Sequence, residues 1–197
     1  YSDKMARVGV RAKSILEEKY ILKEELHGKI LCEGAQGFWL DLDYGNYPYV
    51  TSSTTLPYGA CSLGIPPQKI RKIYGAAKIY DTRSGIDPEF PESLLEDPVF
   101  QQIGLTGKEF GVTTGRKRKV NWLNLEKLIY AINASGTTDV IISKIDVLES
   151  IGIFRLFDST IQEYQNIEEM CKYIDSRIKS ECKLIDAVTF SSSPEYI

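Results

Sequence analysis

Apolar residues recur at helical spacing in two clear stretches of the 197-residue chain. In "NWLNLEKLIYAINASG" (121–136), Leu123, Leu125, Leu128, Ile129 and Ile132 form one stripe, and Gly136 is a natural stop. That pattern predicts a helix. Residues 160–182 carry a second amphipathic pattern, and residues 4–26 a charged helical one with Gly9 as its weak point. Pro66-Pro67 opens a short helix over 67–73, because proline is tolerated in a first turn. Shorter apolar runs predict strands at 29–32, 75–81, 139–143 ("DVIIS") and 184–190 ("LIDAVTF"). The run at 139–143 is apolar on both faces, as buried parallel strands are. Residues 33–65 are rich in Gly, Pro, Ser, Thr and Tyr and read as loop. Residues 84–109 read as a long irregular stretch with room for one short helix. Strands alternating with helices predict an α/β fold, a mostly parallel sheet with flanking helices, in one domain over 1–197.

In such sheets ligands bind beyond the carboxyl ends of the strands. Three polar loops, 33–37, 144–146 and 191–193, each come directly after a predicted strand. They are therefore expected to gather at one edge of one sheet.

Composition narrows the function classes. With 24 basic and 27 acidic residues the net charge is −3, which argues against a general nucleic-acid or membrane-surface binder. No apolar run approaches the ~18 residues of a membrane span. The four cysteines, Cys32, Cys61, Cys171 and Cys182, form no CxxC pair, and His27 is the only histidine. A zinc site would need ligand clusters that this pattern lacks. Reduced, buried or partly buried thiols in a cytoplasmic protein are expected. The chain begins at Tyr1 without a signal peptide, and is expected to be a piece of a longer protein.

Three constellations could carry chemistry. "GVTTGRKRK" (111–119) is the most basic stretch of an acidic chain. Thr113 and Thr114 offer hydroxyls, and Arg116 and Arg118 suit bidentate recognition of carboxylate or phosphate. A local anion site and a solvated basic loop are both open readings. In "ISKID" (142–146), Asp146 could accept from guanine N1–H and its 2-amino group, with the alkyl stem of Lys144 along the base plane. A surface Lys–Asp pair is the plainer alternative. In "EGAQG" (33–37), Gln36 can donate and accept at once, which suits a ring edge. Asp41 and Asp43 are expected to make structural hydrogen bonds rather than hold a metal.

Together these stretches resemble adenylosuccinate synthetases. "YSDKMARVGVR" resembles that family's Y-x-D-K-x-x-R segment. "CEGAQGFWLDLDYGNYPYVTSS" resembles its long E-G-A-Q-G-x-x-L-D-x-D-x-G-x-Y-P-Y-V-T-S-S signature. "FGVTTGRKRKVNWLNL" is similar to its F-G-x-T-T-G-R-x-R-x-x-W-L-D-L segment, and "SKIDVLES" to T-K-L-D-V-L-D-G. The order is right, and the match runs through nearly the whole chain.

The resemblance implies a P-loop-NTPase-like fold and a C–N ligase of purine (AMP) biosynthesis. GTP would phosphorylate the 6-oxygen of IMP, and the L-aspartate amine would then displace phosphate, with Mg²⁺ required. It implies Gln36 near the 6-oxygen and Thr51 on the IMP 5′-phosphate. Arg7 would reach the neighbouring subunit's IMP site in a homodimer. Thr113, Thr114 and Arg116 would hold aspartate, with Arg116 also facing IMP and Arg118 lying between aspartate and GTP. Lys144, Asp146, Ser191, Ser192 and Ser193 would read guanine.

The chain also departs from the family pattern. The G-D-E-G-K-G-K phosphate loop and the histidine after it do not occur in it, so the catalytic Asp and His and most Mg²⁺ contacts are expected outside these residues. Tyr44 stands where relatives commonly have His, and Ser84 where they have Val. "SSTTLPYGACS" and "TRSGIDPEFPE" differ from the family's loops, and the stretch after Phe157 is as short as in compact archaeal and phage-type members. A phage-like relative joining aspartate to a guanine nucleotide, and a non-catalytic nucleotide-binding or dimerisation module, are the alternatives.

Overall fold

The structure is a computed structural model that describes residues 28–111, 115–193 and 195. The helix expected over 4–26 lies outside them. The chain divides into two units, Tyr1–Glu33 and Gly34–Ile197. In the first, residues 28–33 are irregular and exposed, Leu31 to 83%. The strand expected at 29–32 does not form. A four-residue run has no periodicity to separate strand from coil, and pairing rather than composition makes a strand.

The second unit carries strands β1 (Tyr74–Lys78), β2 (Tyr80–Arg83), β3 (Lys119–Asn124), β4 (Asp139–Ser143), β5 (Arg155–Asp158), β6 (Thr160–Glu163) and β7 (Ala187–Ser191). Its α-helices are α1 (Pro98–Thr106), α2 (Leu125–Ser135), α3 (Ile145–Ile151) and α4 (Ile167–Glu181). Strands β1, β4 and β7 form a wholly parallel sheet in the order β1-β4-β7. A second sheet, β2-β3-β5-β6, is antiparallel at its two outer pairs and parallel between β3 and β5. The α/β expectation with mostly parallel pairing therefore holds, divided over two sheets.

One buried residue turns the chain from the first sheet to the second. Ile79 is fully buried, and its N–H donates to the Ser143 carbonyl at 2.9 Å, which extends the β1–β4 ladder by one bond. The predicted strand at 75–81 is thus two strands. Helices α3 and α4 pack on β7, α1 on β3, and α2 on β5 and α4. The core between them includes Ile79, Tyr80, Leu123, Ile142, Leu148, Leu156, Met170 and Ile174.

Other predicted boundaries shift for local reasons. Residues 119–124 are strand, and the helix starts at Leu125, where the Asn124 side chain accepts from Lys127 N–H at 3.0 Å. An N-cap of this kind satisfies a donor that the helix leaves unpaired. Gly136 ends α2 in the left-handed region (φ 68°) as expected. Residues 160–182 are not one helix: β6 comes first, and α4 begins only after Asn166 caps Glu169 N–H. The helix expected over 67–73 is a single 3₁₀ turn, Pro67–Lys69, followed by extended Ile70. The last strand runs Ala187–Ser191, a little later than expected. The short helix allowed for within 84–109 is α1, capped by Asp97.

Among the described residues no helix is long and apolar enough to cross a membrane. All four cysteines are unpaired; Cys182 is buried and Cys61 and Cys171 partly so, whereas Cys32 is exposed, against expectation.

Candidate functional site

The parallel sheet presents one well-defined carboxyl edge. Register pairs Lys78 with Ser143 and Ser143 with Ser191, so the last residues of β1, β4 and β7 stand side by side. Lys144 comes directly after β4, in the left-handed region at φ 69°. That conformation is uncommon for a residue with a side chain and is stored where surroundings enforce it. Here the Lys144 Nζ donates to the Gly107 carbonyl at 3.0 Å, just past the end of α1. Position 107 admits only glycine, because a Cβ there would stand 2.2 Å from the Tyr80 hydroxyl. Asp146, in the first turn of α3, is exposed and makes no hydrogen bond or ion pair with the described residues. After β7, the buried Ser191 hydroxyl donates to the Ser193 carbonyl at 2.6 Å, and the Ser193 hydroxyl accepts from Glu195 N–H. Ser192 is exposed at the tip of this turn.

Beside this edge sits a hairpin built from the basic stretch. Phe110 pairs antiparallel with Lys117, Gly111 N–H donates to the Arg116 carbonyl (2.8 Å), and Arg118 N–H donates to the Glu109 carbonyl (3.0 Å). Gly115 lies in the left-handed region at φ 64°, and its N–H donates to the Gly111 carbonyl at 2.8 Å. Glu109 at the hairpin base is only 3% exposed. Its carboxylate accepts from Lys78 Nζ at 2.7 and 2.8 Å, from the Tyr80 hydroxyl at 3.0 Å and from Arg118 Nη1 at 3.2 Å. Burial lowers the pKa of Lys78, opposed by Glu109. Burial likewise raises the Tyr80 phenol, with the Glu109 charge adding to the effect. Around one carboxylate the edge thus gathers the cations Lys78 and Arg118, with Lys144 close enough to be felt by Lys78.

A second polar assembly is the loop over 37–55. Its hub is Asp41, fully buried, whose carboxylate accepts from the N–H groups of Asp43 (2.9 Å), Tyr44 (3.1 Å) and Thr55 (2.6 Å) and from the Thr54 hydroxyl (3.1 Å). Burial would raise the Asp41 carboxyl, but these bonds outweigh it and hold the pKa below its usual value. The structural role expected of Asp41 is met; Asp43 contributes its backbone and leaves its side chain exposed. Gly45 fits because a Cβ would meet the Asp41 carbonyl at 2.5 Å. The loop docks on α2, where Trp39 stacks on Tyr130 with ring centres 5.8 Å apart and Lys127 Nζ lies 4.4 Å over the Trp39 ring. Arg83 at the end of β2 donates to the Tyr49 carbonyl. Gln36 precedes this loop with φ 61° and an exposed side chain, and Thr51 donates its N–H to the Leu40 carbonyl at 2.7 Å.

The predicted residues therefore fall into two assemblies. Arg118 and Lys144 join through Glu109, Lys78 and Gly107 at the carboxyl edge, which Asp146 and the Ser191–Ser193 turn also border. Thr51 belongs to the Asp41-centred loop, and Gln36 directly precedes it. The expectation that 33–37 extends from a strand to the same edge is corrected, since no strand precedes it. Arg116 is exposed in the hairpin and engaged in a contact of its own. Arg7, Thr113 and Thr114 lie outside the described residues. Sequence reading missed Glu109, Lys78 and Gly107. The available signal was a lone acid, Glu109, between Lys108 and four consecutive basic residues at 116–119.

Among the described residues no three His, Cys, Asp or Glu side chains converge to hold a metal ion. They do not fit a Mg²⁺ site. Two open grooves lie elsewhere, one of 350 Å³ between Tyr44, Tyr58, Ile73 and Ser135, the other along 165–172 at the start of α4. Neither is lined by a predicted site residue.

Known proteins give this geometry its context. A family model described as adenylosuccinate synthetase matches residues 17–183. The adenylosuccinate synthetase of Flavobacterium johnsoniae is 45% identical over 152 residues, which cover 76% of this chain and 36% of that protein. That of Chlorobium chlorochromatii is 47% identical over 135 residues, covering 68% and 31%. The solved structure of fully ligated adenylosuccinate synthetase from Plasmodium falciparum superposes with a TM-score of 0.69 at 27% identity, covering 82% of this chain and 47% of that one. The chain spans about a third of the length of the curated relatives it matches. On the family match across most of its length and on the shared fold, this chain belongs to the adenylosuccinate synthetase family.

Proposed function

We propose that residues 1–197 form the central and C-terminal portion of a longer adenylosuccinate synthetase, a cytoplasmic C–N ligase acting as a homodimer. In that enzyme the γ-phosphoryl group of GTP is transferred to the 6-oxygen of IMP. The amine of L-aspartate then attacks the activated carbon, phosphate leaves, and adenylosuccinate forms. Mg²⁺ would be held by residues outside those described. The portion in hand would bind and orient.

Asp146 carries the reading. A carboxylate beyond the end of a buried strand, exposed and making no hydrogen bond with the described residues, is positioned to accept from guanine N1–H and the 2-amino group. The stem of Lys144, its ammonium already tied to Gly107, lies along the base, and the Ser191, Ser192 and Ser193 turn closes the other side. Arg118 stands between GTP and aspartate, while Thr113, Thr114 and Arg116 grip the aspartate carboxylates, Arg116 also facing IMP. Gln36 addresses the purine 6-oxygen, Thr51 the 5′-phosphate, and Arg7 the IMP site of the neighbouring subunit. The Asp41 hub supports this by holding the loop that bears Thr51 in one shape.

Competition between GTP and xanthosine triphosphate in the full-length protein tests it. Asp146→Asn turns one acceptor into a donor, which opposes the guanine 2-amino group and matches a 2-oxo group. A mismatched hydrogen bond costs about 1–3 kcal/mol. The kcat/KM ratio is therefore expected to move roughly tenfold to a hundredfold toward the xanthine nucleotide. An unmoved ratio would remove Asp146 as guanine reader.

A further inference from the structure

We propose that Glu109 is a positioning residue: its buried carboxylate fixes the Arg118 guanidinium and the paired segments 109–111 and 116–118 against Lys78 at the carboxyl edge of the sheet. This deepens the reading that Arg118 lies between aspartate and GTP, and rests on it.

The hairpin contacts set the geometry. Glu109 and Arg118 face each other across its base, joined by a backbone bond (3.0 Å) and by the carboxylate–guanidinium contact (3.2 Å). The same carboxylate binds Lys78, the last residue of β1, and Tyr80, the first of β2. One side chain thus ties the hairpin to two strands of the core. The carboxylate is also outnumbered. It faces Lys78 and Arg118 directly, with Lys144 beyond; against Glu109 and Asp146, which borders the same edge, these three cations leave one net positive charge, suited to an anion. Arg118 is only part spent by the contact. About a third of its side chain is exposed, and its Nε–H finds no acceptor among the described residues. A ligand carboxylate or phosphate would meet the exposed part of this guanidinium. Glu109 does not touch that ligand; it decides where Arg118 stands when the ligand arrives.

The test compares Glu109→Gln with Arg118→Leu in the full-length protein, by steady-state kinetics with aspartate and IMP varied separately. Gln keeps the shape but sets an amide N–H₂ against two cations. Losing a charge-assisted bond of this kind is expected to raise the aspartate KM roughly tenfold, with the IMP KM within about twofold, and Arg118→Leu to raise the aspartate KM at least as much. Thermal melting of each variant is recorded alongside. A raised aspartate KM in Arg118→Leu with an unchanged one in Glu109→Gln overturns the role of Glu109 and leaves the reading of Arg118 standing. An unchanged aspartate KM in Arg118→Leu overturns both. Equal rises in every KM alongside a lowered melting temperature would make Glu109 a packing residue and overturn the proposal. If Glu109→Gln does not fold, the double variant Glu109→Gln/Lys78→Met removes the stranded ammonium and is judged by the same aspartate-selective rise.

Discussion

At the scale of single residues, Asp41 shows how one carboxylate can organise a loop without doing chemistry. It accepts four hydrogen bonds of 2.6–3.1 Å at zero exposure. Asp41→Asn keeps one acceptor and points an amide donor at the N–H groups, and is expected to cost about 1–3 kcal/mol at neutral pH. The pH dependence has a definite sign. Because the folded pKa is lowered, the ionised Asp41 stabilises fully above the ordinary carboxylate range and loses that contribution as pH falls through its folded pKa. The stability gap between wild type and Asp41→Asn, measured by urea unfolding, should therefore be full at pH 7 and narrow below about pH 4. A gap independent of pH would contradict it. Asp41 was legible in sequence as a structural acceptor because the stretch after the Asp41/Asp43 pair, "YPYVTSSTT", supplies no further metal ligand. Glu109 was not, because its partners Lys78 and Tyr80 lie about thirty residues away in the chain and meet it only in the fold.

At the scale of elements, helix periodicity was read well from Leu125 on, although Leu123 of the predicted stripe belongs to β3. The Leu125, Ile129 and Ile132 stripe and the Gly136 stop lie where the pattern put them. The error over 160–182 has a simple origin. Ile161, Tyr164, Ile167, Met170, Ile174 and Ile178 are spaced by three or four residues across a strand and a helix alike, so periodicity alone runs through the junction. Asn166 marks the true start: its side chain caps Glu169 N–H, and the Glu169 carboxylate reaches back to Gln165 N–H at 2.9 Å. Asn166→Ala should lower stability by about 1 kcal/mol, and hydrogen exchange should show faster opening confined to the first turn of α4. Unchanged exchange at Glu169 would mean that packing of Ile167 and Met170 alone holds that end. Strand β5 was not seen at all, since its four residues, with only Leu156 and Phe157 apolar, make no pattern.

At the scale of the whole molecule, the carboxyl-edge rule located the Lys144 and Ser191 loops correctly, because adjacent parallel strands must deliver their succeeding loops to one side. It failed for 33–37, where the strand it presupposed does not form. The chain alone is expected not to make adenylosuccinate from GTP, IMP, aspartate and Mg²⁺, since its sequence holds neither the phosphate loop nor the acid–base pair of the family. Turnover comparable to an intact relative's would refute this. The two sheets also interleave along the chain: β2 and β3 are made between β1 and β4, and β5 and β6 between β4 and β7. During synthesis, then, the β1–β4 pair closes across some 65 residues, and β4 stays open on one side until Ala187 has been added. Closing such distant pairs is slow and leaves strand edges bare in the interim. The part of the carboxyl edge formed by Ser143 and Ser191 is thus assembled only when the end of β7 has left the ribosome.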